Sequence, residues 1–159
     1  MNKNEIIQFT SQLMNSTEVA YFTTVYEGVP YIRALENLRN KKKFPKSSKM
    51  FAGHRNDLLV YFSTNTSSSK IKHLKQNPHV AVYYCNPTEY HGVMLGGLVE
   101  IIADQSVKEG LWEEGWERYY PEGVDDEDYT VLHLVPKHIR GWNQNQTFEL
   151  DLERNQLII

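Results

Sequence analysis

Cysteine occurs once in 159 residues, at Cys85, so no internal disulfide can form and a reducing compartment is the natural setting. No apolar run is long enough to span a bilayer, and the opening Met1-Asn2-Lys3-Asn4-Glu5 lacks the charged-then-apolar layout of a signal peptide. Positive charge is not in excess. Lys and Arg number 17 against 20 Asp and Glu, a net charge of -3, which argues against bulk attraction to nucleic acid or an anionic membrane. A cytoplasmic protein that binds neither is expected. The phosphate-loop pattern G-x-x-x-x-G-K-[ST] is missing, as is the G-x-S-x-G of acyl chemistry. His54, His73, His79, His91, His133 and His138 show no ligand spacing with one another or with Cys85, so no metal site is expected.

What remains is an ordinary globular composition, 40% apolar and 23% charged, in a chain long enough to build a core without disulfides or metals. One domain over 1–159 is expected. Ile6, Phe9 and Leu13 sit at helical spacing within 4–14. Residues 19–26 are rich in β-branched and aromatic side chains, Glu27-Gly28 makes a turn, and 29–38 returns as the second half of a hairpin. The stretch 39–56, with Lys41, Lys42, Lys43, Lys46 and Lys49, reads as a long solvated loop; guiding an anionic substrate is the alternative. Further strands are expected at 58–62, 79–84, 93–103, 129–135 and 147–152, with Gly96-Gly97 marking a bulge or a close backbone approach. Helices are expected from Ser68 to the stop at Asn77-Pro78 and over 107–119, where Trp112 and Trp116 would make packing or dimer contacts. Many strands, few helices and short turns imply a mainly antiparallel barrel with flanking helices.

The most informative segment is Ser63-Thr64-Asn65-Thr66-Ser67-Ser68-Ser69-Lys70, a hydroxyl-rich loop between a buried strand and a helix. Unpaired helix N–H groups, the positive end of the helix dipole, hydroxyl donors and an ammonium make a place for phosphate. A plain N-cap with Lys70 on a solvated face is the bland alternative. Arg33 lies in an apolar strand, where an unpaired charge is expensive. It reads as a functional cation, against a structural ion pair with Glu36 or Glu100.

Several landmarks recur in order: Pro30-Tyr31-Ile32-Arg33, Tyr61-Phe62-Ser63-Thr64 leading to Ser69-Lys70, and Asn77-Pro78-His79-Val80-Ala81-Val82. Gly97-Leu98-Val99-Glu100, Leu111-Trp112, Tyr120-Pro121-Glu122-Gly123-Val124-Asp125-Asp126, then Pro136, Ile139 and Trp142 follow. In these the chain resembles the flavin-binding split barrels of the pyridoxamine 5'-phosphate oxidase-like superfamily, particularly the bacterial general stress protein group. The resemblance implies a six-stranded antiparallel split β-barrel, a homodimer, and FMN in two clefts at the subunit interface. It places Arg33, Ala34 and Leu35 along the flavin, Ser63 and Thr64 lining the site, Ser69 and Lys70 on the phosphate, and Trp142 of the second subunit against the flavin. Trp142 as a core aromatic is the reading without the resemblance.

Two departures bear on substrate. Oxidases of the family acting on the vitamin carry an arginine-leucine-histidine-aspartate-arginine stretch after the tryptophan; here Thr147-Phe148-Glu149-Leu150-Asp151-Leu152 has no basic residue. Gly92 stands where those oxidases have a flavin-contacting glutamine. The expected function is therefore an FMN-dependent oxidoreductase acting on a small molecule other than pyridoxamine 5'-phosphate. The alternatives are a non-catalytic flavin-binding stress, storage or sensing module, or a split barrel that holds haem or a deazaflavin.

Overall fold

Asn2 opens the first helix with a reciprocal cap: its side chain accepts from the Glu5 amide while the Glu5 carboxylate accepts from the Asn2 amide. Helix α1 (Lys3–Ser16) turns Ile6, Leu13 and Met14 into the core. Strands β1 (Val19–Tyr26) and β2 (Val29–Glu36) form a hairpin whose two turn residues, Glu27 and Gly28, have φ of 51° and 78°. That pair of left-handed residues matches the twist of the flanking strands. The computed structural model describes residues 1–54 and 57–158. The last two residues of the stretch 39–56, and Ile159 of the expected domain, lie outside the described residues.

Strand β3 (Val60–Asn65) leads into α2 (Ser69–Gln76), and β4 (His79–Asn86), β5 (His91–Ile102), α3 (Gln105–Leu111), β6 (Tyr129–Asn143), β7 (Gln146–Asp151) and β8 (Gln156–Ile158) complete the order. All strand pairs are antiparallel, in the order β2-β1-β4-β5-β6-β7-β8, and β3 pairs with β6 as well. The first half of β6 carries β3 and the second half carries β7, so one long strand is the spine of both halves. The class is the expected mainly antiparallel split barrel with flanking helices, its sheet counting eight strands among the described residues against the six expected of the barrel. No ladder joins β2 to β3 among the described residues, although the two strands approach each other.

The register shifts between Gly96 and Gly97, where Gly96 faces His138 and Gly97 faces Pro136. A side chain at Gly97 would run into the Val135 carbonyl, so the bulge and the close approach expected there occur together. The bulge also lets β6 continue through Pro136, where the sequence pattern suggested a stop. Proline is tolerated at a bulge because the ladder is already interrupted.

Two apolar clusters fill the interior. Phe22, Phe62, Val82, Tyr84, Leu95, Leu132 and Ile139 belong to the barrel core beneath α1 and α2. The second cluster joins Leu38, Phe44 and Phe51 to Leu111, Trp112, Trp116, Tyr120 and Tyr129. It corrects the reading of 39–56 as a solvated loop. The lysines are exposed, but Phe44 and Phe51 are buried and Ser47–Phe51 is a short 3-10 helix. Glu113 accepts from the Lys46 and Ser47 amides at 3.0 and 2.6 Å, tying this segment to the residues after α3. Arg39, buried, donates to Asn15 Oδ1 and to the carbonyls of His54 and Leu59, joining α1 to the same segment. The helix expected over 107–119 ends at Leu111, and Gly115, at φ 88°, breaks it from a second short turn at Trp116–Arg118. No helix among the described residues is long and apolar enough to cross a membrane.

Candidate functional site

Strand alternation sorts the expected site residues before any ligand is considered. On β3, Val60, Phe62 and Thr64 face inward while Tyr61 and Ser63 are half-buried on the other side. On β2, Arg33 and Leu35 are partly buried while Ala34 is exposed. Leu35 packs on the barrel core. Lys70 bonds Thr64 and feels the Arg33 charge, which places both near the start of α2.

Ser68 caps α2, its hydroxyl accepting from the Lys70 amide. The Lys70 ammonium folds back over this turn, donating to Thr64 Oγ1 at 2.6 Å and Ser68 Oγ at 2.7 Å. An ammonium has three donors, so one is left for a ligand. Arg33 donates from Nη1 to Thr24 Oγ1 at 2.8 Å. Thr24 Oγ1 lies 2.9 Å from His73 Nδ1, one helical turn after Lys70 on the same face of α2. The imidazole is buried, stacked on Tyr26 with ring centroids 4.7 Å apart and tilted against Tyr31 at 4.8 Å.

The electrostatics are one-sided. Burial pushes the Lys70 ammonium below its ordinary pKa, and the nearby Arg33 charge adds to the effect. Burial lowers Arg33 as well, and His73 is lowered by burial, then by Arg33 and Lys72. No carboxylate compensates: among the described residues neither Arg33 nor Lys70 has an ion-pair partner. The two candidates considered for Arg33 are engaged elsewhere, Glu36 with Lys43 and Glu100 with His133.

The neighbouring hydroxyls divide into committed and free. Asp128 accepts from Asn65 Nδ2, the Ser67 amide and Ser67 Oγ, which holds its carboxyl below the usual range. Thr66 donates to the Glu127 carbonyl. The acidic stretch before β6 thus props the loop from behind and takes Thr66 and Ser67 out of the donor set. Ser69, exposed at the first turn of α2, keeps its hydroxyl free among the described residues.

Trp142 is elsewhere. Thr64 pairs with Thr130, and Trp142 lies further along the same strand. Thr130 and Trp142 stand at opposite ends of β6, with the Gly96-Gly97 bulge between them. Trp142 is 38% exposed and packs beside Tyr83, ring centroids 5.7 Å apart. Gly92 makes room for both rings, since a side chain there would meet the Tyr83 hydroxyl and the indole. These rings border a cavity of about 710 Å³, with Met94, Arg140 and Glu149 also on its wall. One chain brings Arg33, Thr64, Ser69 and Lys70 together and leaves Trp142 out.

Thr24 and His73 carry no site signal in the sequence, whereas Ser68 belongs to the hydroxyl-rich loop and helix start marked there. The i, i+3 spacing of Lys70 and His73 is visible in the sequence; the meeting of His73 with Thr24 depends on α2 lying over β1. No group of three or more His, Cys, Asp or Glu among the described residues could hold a metal.

The sequence pattern of the pyridoxamine 5'-phosphate oxidase-like family matches residues 46–152, and the chain belongs to that family. It is similar in structure to a Clostridium acetobutylicum protein related to general stress protein 26 of B. subtilis, of the pyridoxinephosphate oxidase family. The two share 26% identity over 98% of this chain and 100% of the other, with a TM-score of 0.75. General stress protein 26 of Bacillus anthracis shares the fold at 18% identity, covering 93% and 99% of the two chains with a TM-score of 0.71. A heme-binding protein of Mycobacterium smegmatis shares it at 14% identity over 96% of this chain and 60% of that one, with a TM-score of 0.67. Comparison with curated proteins returns no match.

Proposed function

We propose that the protein binds FMN and acts as an FMN-dependent oxidoreductase on a small molecule. The observation that carries this reading is the pair of partly buried cations, Arg33 and Lys70, with no acidic partner among the described residues. Burying like charges together is unfavourable in the free protein, and a phosphate dianion reverses the balance by accepting charge-assisted hydrogen bonds from both. Lys70, Ser69 and the first N–H groups of α2 would hold the phosphate. The closeness of Arg33 to Lys70 favours Arg33 at the phosphate over a place beside the ring. When bound, FMN supplies hydride and electron exchange, and the chain supplies binding and orientation.

The remaining assignments follow the family resemblance. Ala34, Leu35, Ser63 and Thr64 would lie along the cofactor. Trp142 would come from the second subunit of a homodimer, a reading supported by its place at the end of β6 remote from the Thr64–Thr130 pair. The Thr147–Leu152 segment offers Glu149 and Asp151 and no cation, which points away from pyridoxamine 5'-phosphate as substrate. No side chain is nominated as acid or base.

Titration of the purified protein with FMN, followed by flavin absorbance, tests the reading: stoichiometric binding supports it, and a colourless protein that takes up no FMN refutes it. Reduction of the bound flavin by NADH or NADPH, with transfer to an added acceptor, separates an enzyme from a storage or sensing module. A second reading, haem or a deazaflavin, draws support from neighbours of the same fold described as a heme-binding protein and an F420 reductase, the latter 20% identical with a TM-score of 0.54. A visible spectrum and the mass of the released ligand distinguish all three cofactors.

A further inference from the structure

We infer that His73 is a positioning residue for the phosphate site, acting through Thr24 on Arg33. This rests on the FMN reading and adds a residue to it. Thr24 Oγ1 has one proton and two lone pairs. It accepts from Arg33 Nη1 at 2.8 Å, so a lone pair is committed, and its proton is directed to the remaining neighbour, His73 Nδ1, at 2.9 Å. This polarity requires the His73 tautomer with its proton on Nε2 and a bare Nδ1.

Everything packed around the ring maintains that state. Tyr26 of β1 stacks on it and Tyr31 of β2 lies tilted against it, and neither brings a carboxylate. The charged groups near it, Arg33 on β2 and Lys72 on α2, are both positive and oppose a second proton, as burial does. A buried neutral imidazole packed against two tyrosines is a held acceptor. It fixes the Thr24 hydroxyl, which then fixes one edge of a guanidinium that would otherwise swing between rotamers. Four donors of Arg33 remain for an anion, presented from a fixed plane beside Lys70.

The geometry distinguishes this arrangement from simple packing. A packing histidine would be replaced without functional loss by any flat or apolar side chain that filled its volume. A positioning histidine needs an acceptor at Nδ1, which the Asn side-chain oxygen supplies and Leu cannot.

The experiment measures the affinities of FMN and of riboflavin, which lacks the phosphate, for wild type, His73→Leu, His73→Asn and Arg33→Met, with circular dichroism and thermal melting checking the fold. His73→Leu should weaken FMN about tenfold, the loss of one hydrogen bond orienting a charge, and leave riboflavin unchanged. His73→Asn should restore most of the FMN affinity. In an Arg33→Met background His73→Leu should have no further effect, because the group it orients is gone. Equal weakening of FMN and riboflavin would show a general packing role and overturn the inference, as would wild-type FMN affinity in a folded His73→Leu. If His73→Leu fails to fold, His73→Asn and His73→Gln decide: loss of FMN affinity in both, with riboflavin binding intact, overturns the acceptor argument. Absence of FMN binding by the wild type refutes the cofactor reading itself. Normal FMN binding with His73 irrelevant refutes only the inference.

Discussion

Lys70→Met removes the ammonium and keeps the length and apolar stem of the side chain. In the ligand-free protein its effects oppose each other. The hydrogen bonds to Thr64 and Ser68 are lost, about 1 kcal/mol each. The desolvation of a partly buried charge and its repulsion from Arg33 are relieved. A change within about 1 kcal/mol is expected. With FMN present the terms no longer cancel, because the phosphate loses a charge-assisted partner worth about 1.5–3 kcal/mol. At about 1.4 kcal/mol per decade this weakens binding roughly 10- to 150-fold. FMN at 100 times the wild-type Kd stabilises the wild type by about 2.7 kcal/mol. For a chain of this length that raises Tm by about 5–11 °C. At the same FMN concentration the variant retains between about 1.4 and 0.3 kcal/mol, a shift of at most about 6 °C. Thermal melting with and without FMN reads both quantities. A wild-type FMN shift in a folded Lys70→Met protein would refute the phosphate assignment. The pH dependence gives a second check. The folded-state pKa of Lys70 lies below its ordinary 10.5, so the charged form is disfavoured in the empty site. That penalty is present below the folded pKa and relieved as pH rises through it towards 10.5. Relative to Lys70→Met, the ligand-free wild type should gain stability across that alkaline window.

Three further outcomes are expected. Asp128→Ala should loosen the 65–68 turn and weaken FMN binding; the Asp128 carboxyl is lowered by its bonds from Asn65 and Ser67, so its stabilisation is present above the ordinary 3.8 and lost as pH falls through the folded value. Melting curves of wild type and variant that fail to converge in acid would exclude that account. Gly97→Ala should destabilise the fold by about 1–3 kcal/mol, read from a urea midpoint, because the new methyl meets the Val135 carbonyl and the Pro136 Cα. Trp142→Phe should change stability by less than about 0.5 kcal/mol at this partly exposed position and alter the quenching of bound flavin fluorescence; unchanged emission in an FMN-loaded sample would return Trp142 to a packing role.

Much of the fold was legible where a local rule decides the backbone. Glu27-Gly28 fixes a tight hairpin, Asn77-Pro78 stops α2, and Gly96-Gly97 marks the bulge, where side chains would meet His138 and the Val135 carbonyl. The errors fall where distant contacts override local pattern. Residues 39–54 look hydrophilic because five lysines outnumber Phe44 and Phe51, yet those two rings enter a cluster completed by Trp112 and Trp116 from far along the chain. Pro136 looked like a strand end because its bulge partner, Gly97, lies on another strand. Strand β8 carries three exposed residues and exists through its pairing with β7, so period-2 alternation had nothing to report.

The candidate site divides along the same line, and the division has a physical cause. Ser68, Ser69 and Lys70 are contiguous and belong to a helix start, so the chemistry of capping and dipoles marks them in one dimension. Arg33 was marked by incongruity, as a charge among apolar neighbours. Thr24 and His73 carry neither signal: a threonine in a strand and a histidine on a helix are unremarkable until β1, β2 and α2 are laid together. What makes them matter is that, among the described residues, no acid pairs with Arg33 or Lys70. Had a carboxylate stood where Thr24 does, Arg33 would be neutralised within the protein and the barrel end would need no ligand. A hydroxyl satisfies hydrogen-bonding geometry without cancelling charge. The positive field of Arg33 and Lys70 is therefore oriented by neutral partners, and under the proposed function an anion would complete it.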